Sequence, residues 1–264
     1  MIKPSCEDTT VLKKRVLKNG YFSLLFSPYS RSAECKPGSF IHVKLPSTDV
    51  HFRRAMSVAS VDGRSKQLEI IFKVFGRGTT LLSRMHVGDT VNILGPLGGT
   101  FRPPRKDERA IIVAGGVGFP PVMFLAERLI SEGHDPKLIH FFYGGRTTGD
   151  IIERSRIKKL GTHFHPATDD GSYGRKGFVT EHVETFLQDN SDENLQIYAC
   201  GPEGMLREVD RLGRQYGVPG QVSLEAPMPC GIGVCLGCIV PLTKGGYARV
   251  CVDGPIFNIG EVKL

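Results

Sequence analysis

The chain has 264 residues, 40% of them hydrophobic and 23% charged, with seven cysteines, no tryptophan and a formal net charge of +7. That balance supports a buried core shared by two domains and an appendage, and it excludes a disordered or fibrous chain. Apolar runs such as 110–118 are about half a membrane span, the basic residues are scattered, and Met1-Ile2-Lys3-Pro4-Ser5-Cys6 does not resemble a signal peptide; neither membrane insertion nor nucleic-acid binding is expected, and the thiols are expected to be reduced, in the cytoplasm.

The first hundred residues alternate short strand-like runs with turns, at 11–16, 21–26, 39–45, 55–59, 67–75 and 90–94. Evenly spaced short strands of this kind predict an antiparallel β-barrel. Within it, Arg53-Arg54-Ala55-Met56-Ser57 sets guanidinium groups at the start of a strand, and Gly76-Arg77-Gly78-Thr79 makes a glycine turn into a short helix. Together they offer a cation and a helix N-terminus to a diphosphate, although paired arginines also simply solvate strand ends. The charged segment Arg102-Pro103-Pro104-Arg105-Lys106-Asp107-Glu108-Arg109 breaks the rhythm, and the first domain is bounded at 1–104.

From 105 to 222 strands alternate with helices. Residues 110–114, 138–143, 163–168 and 195–199 read as buried strands, and 122–131, 151–160, 180–187 and 203–216 carry helical periodicity. The alternation predicts a parallel sheet wrapped by helices, with ligands at the carboxyl ends of its strands. There Gly115-Gly116-Val117-Gly118 joins a strand to a helix whose free N–H groups would attract a pyrophosphate. Pro121 replaces the third glycine of the usual fingerprint, and a tight turn without a ligand is the competing reading. Cys200-Gly201-Pro202 closes another strand at the same edge, either beside a ligand or as a small core thiol. His163 and His165 share a strand face, but no carboxylate or third histidine completes a metal set.

Residues 223–264 form a cysteine-rich tail, Cys230-x4-Cys235-x2-Cys238 and then Cys251. Gly231, Gly233 and Gly237 are expected to supply positive φ and close approach, so that the loop can cup an inorganic core. A hairpin around Lys244-Gly245-Gly246 brings in the fourth thiol. A turn at Lys244-Gly245 sets Cys251 opposite Cys238, one at Gly245-Gly246 sets it opposite Val240, and either puts both thiols on one face. The x4-then-x2 spacing matches a plant-type [2Fe-2S] ferredoxin pattern, with structural zinc and a disulfide pair as alternatives.

Taken in order, Arg54, Gly76-x-Gly78-Thr79, Gly95-Pro96-Leu97-Gly98, Gly115-Gly116-x-Gly118, Thr168-Asp169-Asp170-Gly171-Ser172, Cys200-Gly201-Pro202, the cysteine loop and Cys251-x-Asp253-Gly254-Pro255-x-Phe257 cover nearly the whole chain. This sequence resembles the ferredoxin-NADP reductase superfamily and, within it, the electron transfer subunits of dihydroorotate dehydrogenase B. The resemblance implies an FAD-binding barrel, an NAD-binding α/β domain and a [2Fe-2S] tail. Arg54, Ala55, Met56, Ser57, Ile71, Phe72, Lys73, Gly78 and Thr79 would contact FAD. Gly115, Gly116 and Gly118 would face the NAD pyrophosphate, with Cys200 on the nicotinamide side as the catalytic position. Asp169 or Asp170 would lie near the adenosine ribose and favour NAD over NADP, against the opposite suggestion of Arg146. Cys230, Cys235, Cys238 and Cys251 would hold the cluster. Two departures stand out: Ala55 occupies a position that is proline in the family pattern, and Phe119-Pro120 follow the glycine turn where the family has smaller residues, so that Phe119 could alter how the nicotinamide enters.

Nicotinamide exchanges electron pairs, an iron–sulfur cluster exchanges single electrons and a flavin does both, so a chain with all three is a converter. No acid–base pair or nucleophile suited to an organic substrate is apparent. The resemblance therefore implies a partner, the FMN-containing dihydroorotate dehydrogenase catalytic subunit, in a heterotetramer of two chains of each kind. The alternatives are an NAD(P)H-ferredoxin oxidoreductase-type subunit of a hydrogenase, sulfide reductase or other complex, a non-catalytic redox sensor, and a zinc-tailed binding module.

Overall fold

The computed structural model describes residues 4–45, 50–191 and 193–264; residues 1–3 of the segment screened for a leader lie outside it. Six strands come first: β1 (Ser5–Val16), β2 (Tyr21–Phe26), β3 (Phe40–Lys44), β4 (Arg54–Val61), β5 (Leu68–Lys73) and, after helix α1 (Arg77–Arg84), β6 (Thr90–Leu97). They close into the expected antiparallel barrel in the order β1-β2-β5-β4-β3-β6. Alternation explains its filling: Val11, Leu24, Ile41, Val43, Met56, Val58 and Ile70 point inward and are buried. The outward-facing Phe40, His42 and Leu97 are buried as well, because the C-terminal tail packs over that part of the wall.

The α/β domain follows as β7 (Arg109–Gly115), α2 (Phe119–Ser131), β8 (Ile139–Gly145), α3 (Arg154–Lys159), β9 (His163–Thr168), β10 (Arg175–Lys176), α4 (Val179–Asp189), β11 (Leu195–Cys200), α5 (Glu203–Gln215) and β12 (Gly220–Ser223). The tail adds the hairpin of β13 (Ile239–Pro241) and β14 (Tyr247–Arg249), then β15 (Ile256–Asn258). The sheet runs β10-β9-β8-β7-β11-β12-β15, parallel except for the edge strand β15. Helices α4 and α5 cover one face. Helix α2 covers the other and is wedged against the barrel through Tyr21, Ala59 and Ile71. Among the described residues no helix is long and apolar enough to cross a membrane.

Two local expectations change, and two strands appear where none is expected. The helix expected at 151–160 begins only at Arg154, because Ile151 and Ile152 are drawn into the core and Glu153 turns left-handed at φ 51°. Strands β12 and β15 carry no alternation signal; in β12, GQVS, all four residues are buried irrespective of polarity. The hairpin pairs Ile239 with Arg249 and Pro241 with Tyr247, so neither two-residue turn forms and Cys251 does not stand opposite Cys238 or Val240. Leu242 N–H closes instead on the Gly246 carbonyl at 3.0 Å, around three intervening residues.

Candidate functional site: a cleft, a glycine turn and a thiol loop

The cleft lies where the barrel, the sheet edge and the tail meet. Arg54, Ala55, Met56 and Ser57 of β4, Ile71, Phe72 and Lys73 of β5, and Thr79 of α1 line one side, with Cys200, Leu224, Glu225 and Met228 across from them. The two arginines diverge. Arg53 turns back to the His42 and Asn92 carbonyls at 3.3 and 3.2 Å, whereas Arg54 lies over the first turn of α1, where any Cβ on Gly78 would collide with its guanidinium. Arg54 Nη1 is steadied by the Phe52 carbonyl at 2.8 Å, which leaves a fixed cation at the helix start. Thr79 Oγ1 accepts from the Phe75 and Gly76 N–H groups and so shapes the turn. The Lys73 ammonium is held at 2.8 Å by Asp150 and lies 4.8 Å from the Tyr21 ring centroid. Cys200 is buried; desolvation, then the charge of Glu225, pushes its thiol well above the ordinary range, so it presents a neutral S–H at neutral pH.

The glycine turn joins β7 to α2 at the carboxyl edge of the sheet. A Cβ on Gly118 would sit inside the backbone of Cys200 and Gly201, and one on Gly115 would meet Pro202 Cδ at 2.8 Å. Only Gly116, at φ 51°, has open space around it, with Tyr21 Oη at 3.7 Å. Two of these three glycines therefore let the two edge loops interlock, and one leaves room above them. Pro120 and Pro121 occupy the first turn of α2 and lack N–H groups, so fewer donors face an anion than a helix start usually offers. The Phe119 ring is fully buried and stacks on Tyr143 with centroids 5.1 Å apart, while Val117 and Pro120 line the cleft. Asp169 and Asp170 follow β9, their N–H groups on the Gly145 and Arg146 carbonyls at 3.0 and 3.2 Å, so Arg146 and the two carboxylates share one loop cluster.

In the tail, the four thiols form two pairs, Cys230 with Cys235 and Cys238 with Cys251. Cys238 Sγ and Cys251 Sγ are 3.3 Å apart. Cys251 gets there because the chain after β14 coils, with the Asp253 N–H on the Arg249 carbonyl at 2.8 Å, clamped by the Arg249–Asp253 ion pair at 3.0 Å. Burial pushes the Cys230 thiol up, but the N–H groups of Ile232, Cys235 and Val234 and the Cys235 thiol bring it down to about 6. The Gly237 N–H points at Cys235 Sγ from 3.4 Å. Converging N–H groups favour thiolates. Among the described residues no three His, Cys, Asp or Glu side chains close on a single metal ion, and two thiol pairs suit a two-iron core, with two thiols per iron. Gly231 and Gly233 have positive φ as expected, but the third left-handed residue is Leu236 at φ 58°; Gly237 instead makes a close approach to Pro229.

Comparison with known proteins bears on this arrangement. Residues 14–101 match an oxidoreductase FAD-binding domain, 112–211 an oxidoreductase NAD-binding domain, and 225–263 the iron-sulfur cluster binding domain of dihydroorotate dehydrogenase B. The dihydroorotate dehydrogenase B (NAD+) electron transfer subunit of Geobacillus kaustophilus (strain HTA426) is 38% identical over 98% of both chains. The chain belongs to the family of dihydroorotate dehydrogenase B electron transfer subunits. The subunit so named from Streptococcus mutans serotype c is 32% identical, again over 98% of each chain. Among solved structures, one of an NADH-dependent reduced ferredoxin-NADP oxidoreductase superposes with a TM-score of 0.85 at 29% identity, covering 97% of this chain and 89% of that one.

Members of this family are oxidoreductase subunits that carry electrons, and the chain has FAD-, NAD- and iron–sulfur-cluster-binding domains. Sequence reasoning missed the tail's share of the cleft, namely Leu224, Glu225, Met228 and Pro255. It also missed Asp150, which fixes Lys73. Asp253-Gly254-Pro255 was a visible signal for this part of the tail; nothing in the sequence marks Asp150, since its partner lies 77 residues away.

Proposed function

We propose that this chain is the NAD-side subunit of a dihydroorotate-oxidising enzyme in the cytoplasm. Dihydroorotate would lose two electrons and two protons to become orotate at the FMN of a catalytic partner. The electrons would pass singly through a [2Fe-2S] cluster on Cys230, Cys235, Cys238 and Cys251, and pair on FAD in the cleft under Arg54. They would leave as a hydride equivalent to NAD+ above Gly116, and the expected assembly is a heterotetramer of two chains of each kind. When bound, the flavin supplies the exchange between one- and two-electron steps. The protein's own part would be to anchor a diphosphate with Arg54 and the α1 turn, to present a neutral Cys200 thiol to the cleft, and to hold Lys73 through Asp150.

The observation that carries this reading is the environment of the thiol loop. One side packs against the barrel wall beside the cleft, and the other exposes Ile232, Val234, Leu236, Ile239 and Tyr247, with Val234 74% and Tyr247 72% exposed. An apolar patch of this kind around a redox centre suits a docking face for a partner. The test is reconstitution. The isolated chain is expected to oxidise NADH with an artificial acceptor and to show no dihydroorotate activity; with the FMN subunit added, dihydroorotate should reduce NAD+. An added FMN subunit without effect would remove the proposal. The likeness to an NADH-dependent ferredoxin-NADP oxidoreductase favours a second reading, a subunit of another multisubunit redox complex, which co-purification with such a complex would support.

A further inference from the structure

His42 is fully buried on β3, and neither ring nitrogen has a hydrogen-bond partner. It stands opposite Ala55 of β4 and beside Leu94 of β6, on the outer barrel wall that the tail covers. Phe40, two residues earlier on the same face, packs against its ring at 5.6 Å. An apolar side chain would fill such a place without an orphaned polar group, and a buried imidazole always carries at least one N–H that needs an acceptor. Desolvation, with the charge of Arg53 behind it, keeps the ring neutral.

The ring edge is aimed at the thiol loop. A Cβ built on Gly231, the residue after Cys230, would lie 2.5 Å from His42 Cε1 and 2.8 Å from both Nδ1 and Nε2. The nitrogen-bearing edge of the imidazole thus abuts the backbone that carries the first cluster thiol. On the opposite strand, Ala55 lines the flavin cleft. No other histidine among the described residues is fully buried with both nitrogens unpartnered.

We propose that His42 donates a hydrogen bond to the sulfur shell of the iron–sulfur cluster at the Cys230–Gly231 corner and thereby sets the cluster's reduction equilibrium. The inference rests on the reading of the tail as a cluster site. A donor on a cluster sulfur stabilises the more negative, reduced state and raises the potential. Because His42 acts through the cluster, it is a positioning residue. Its strand pair with β4 also gives the cluster loop and the flavin cleft a common wall.

The experiment uses the cofactor-loaded chain, uniformly 14N except for 15N-histidine, reduced and examined by pulsed EPR. A weak 15N coupling to the cluster is expected. His42→Leu should abolish it and shift the reduction equilibrium about tenfold toward the oxidised form, about 59 mV for a one-electron couple. His42→Gln, which keeps an N–H donor, should also lose the histidine coupling but recover part of the potential. Iron and sulfide analysis of the same samples separates the two levels: a wild-type chain without either removes the cluster reading itself. A full complement with no 15N coupling, and a His42→Leu potential equal to wild type, overturns the role of His42 alone. If His42→Leu fails to assemble a cluster, the coupling in the wild-type chain and its loss in His42→Gln decide the matter.

Discussion

Gly116 and Gly118 stand two residues apart in one turn and face opposite constraints. At Gly118 an added methyl would enter fixed backbone at Cys200, and overpacking of this kind costs about 1–3 kcal/mol or more. At Gly116 there is space, and the penalty is the left-handed conformation, about 1–2 kcal/mol. Gly118→Ala is therefore expected to lower the thermal midpoint clearly more than Gly116→Ala, whereas Gly116→Ala should show its larger effect in the KM for NADH. Equal midpoints would mean that the two edge loops can separate at little cost. At Arg54, losing one charge-assisted hydrogen bond to a diphosphate is worth roughly 1.5–3 kcal/mol, so Arg54→Ala should weaken FAD binding about 10- to 150-fold. Flavin per chain after dialysis measures it, and wild-type retention would exclude Arg54 as the anchor; Arg53 is already committed to the His42 and Asn92 carbonyls. The sequence made Arg54 and the glycines legible because they form contiguous motifs. It left His42 unmarked, since a lone histidine in a strand carries no pattern, and it gave no sign of where the Phe119 ring packs, because stacking on Tyr143, 24 residues away, is invisible locally.

At the level of elements, the hairpin illustrates a sound conclusion reached through a wrong register. Parity holds for a two-residue turn, but a longer loop forms, and Cys251 reaches Cys238 only because the chain coils after β14. Cys251→Ser should therefore strip or weaken the cluster while leaving FAD in the cleft, read as iron and sulfide against flavin per chain. Unchanged iron would take Cys251 out of the ligand set. Strands β8 and β9 carry a different prediction. His140 is buried with its Nδ1 3.2 Å from His165 Nε2, and stacks on His163 at 4.6 Å. Desolvation, then the charges of His163, His165 and Arg109, lowers it to about 3. The folded chain thus resists a proton that the unfolded chain accepts near pH 6.5. Stability is full above about pH 6.5 and falls as the pH drops toward 3, by up to about 1.4 kcal/mol per unit from this group. His140→Phe should flatten the thermal midpoint between pH 6.5 and 4; an unaltered slope would place the acid sensitivity elsewhere.

For the whole molecule, the barrel and the α/β domain are joined by charge as well as by apolar packing. Glu69 of the barrel holds Arg15 at 2.7 Å and Arg156 at 3.2 Å, Arg156 continues to Glu127 at 2.6 Å, and Arg15 to Glu153 at 3.0 Å. Removing Glu69, 12% exposed, would take one of its two carboxylate partners from each of two partly buried guanidinium groups, leaving Arg15 with Glu153 and Arg156 with Glu127. Glu69→Ala is expected to cost about 1.5–3 kcal/mol in denaturant unfolding, with Glu69→Gln milder; a loss below about 1 kcal/mol would show that apolar contacts through α2 suffice. The barrel-then-sheet order was legible because the periodicity changes abruptly near 105. The network was not, because its members lie in segments that read as ordinary surface charge. Nor was the merging of the tail into the sheet, since a three-residue edge strand has no period to detect.

That merging decides how the molecule can move. Five residues after Cys251, the chain is already hydrogen-bonded into the sheet as β15. Between them, the Gly254 carbonyl accepts from the Gly99 N–H at 2.6 Å and the Pro255 carbonyl from the Leu224 N–H at 2.9 Å, so the segment is stitched to barrel and sheet alike. A tail held in this way is no tethered shuttle that detaches, loads and returns. It is a fixed terminal, and any donor must come to it; the rate of exchange with a partner is then governed by encounter and docking, not by the excursion of a linker.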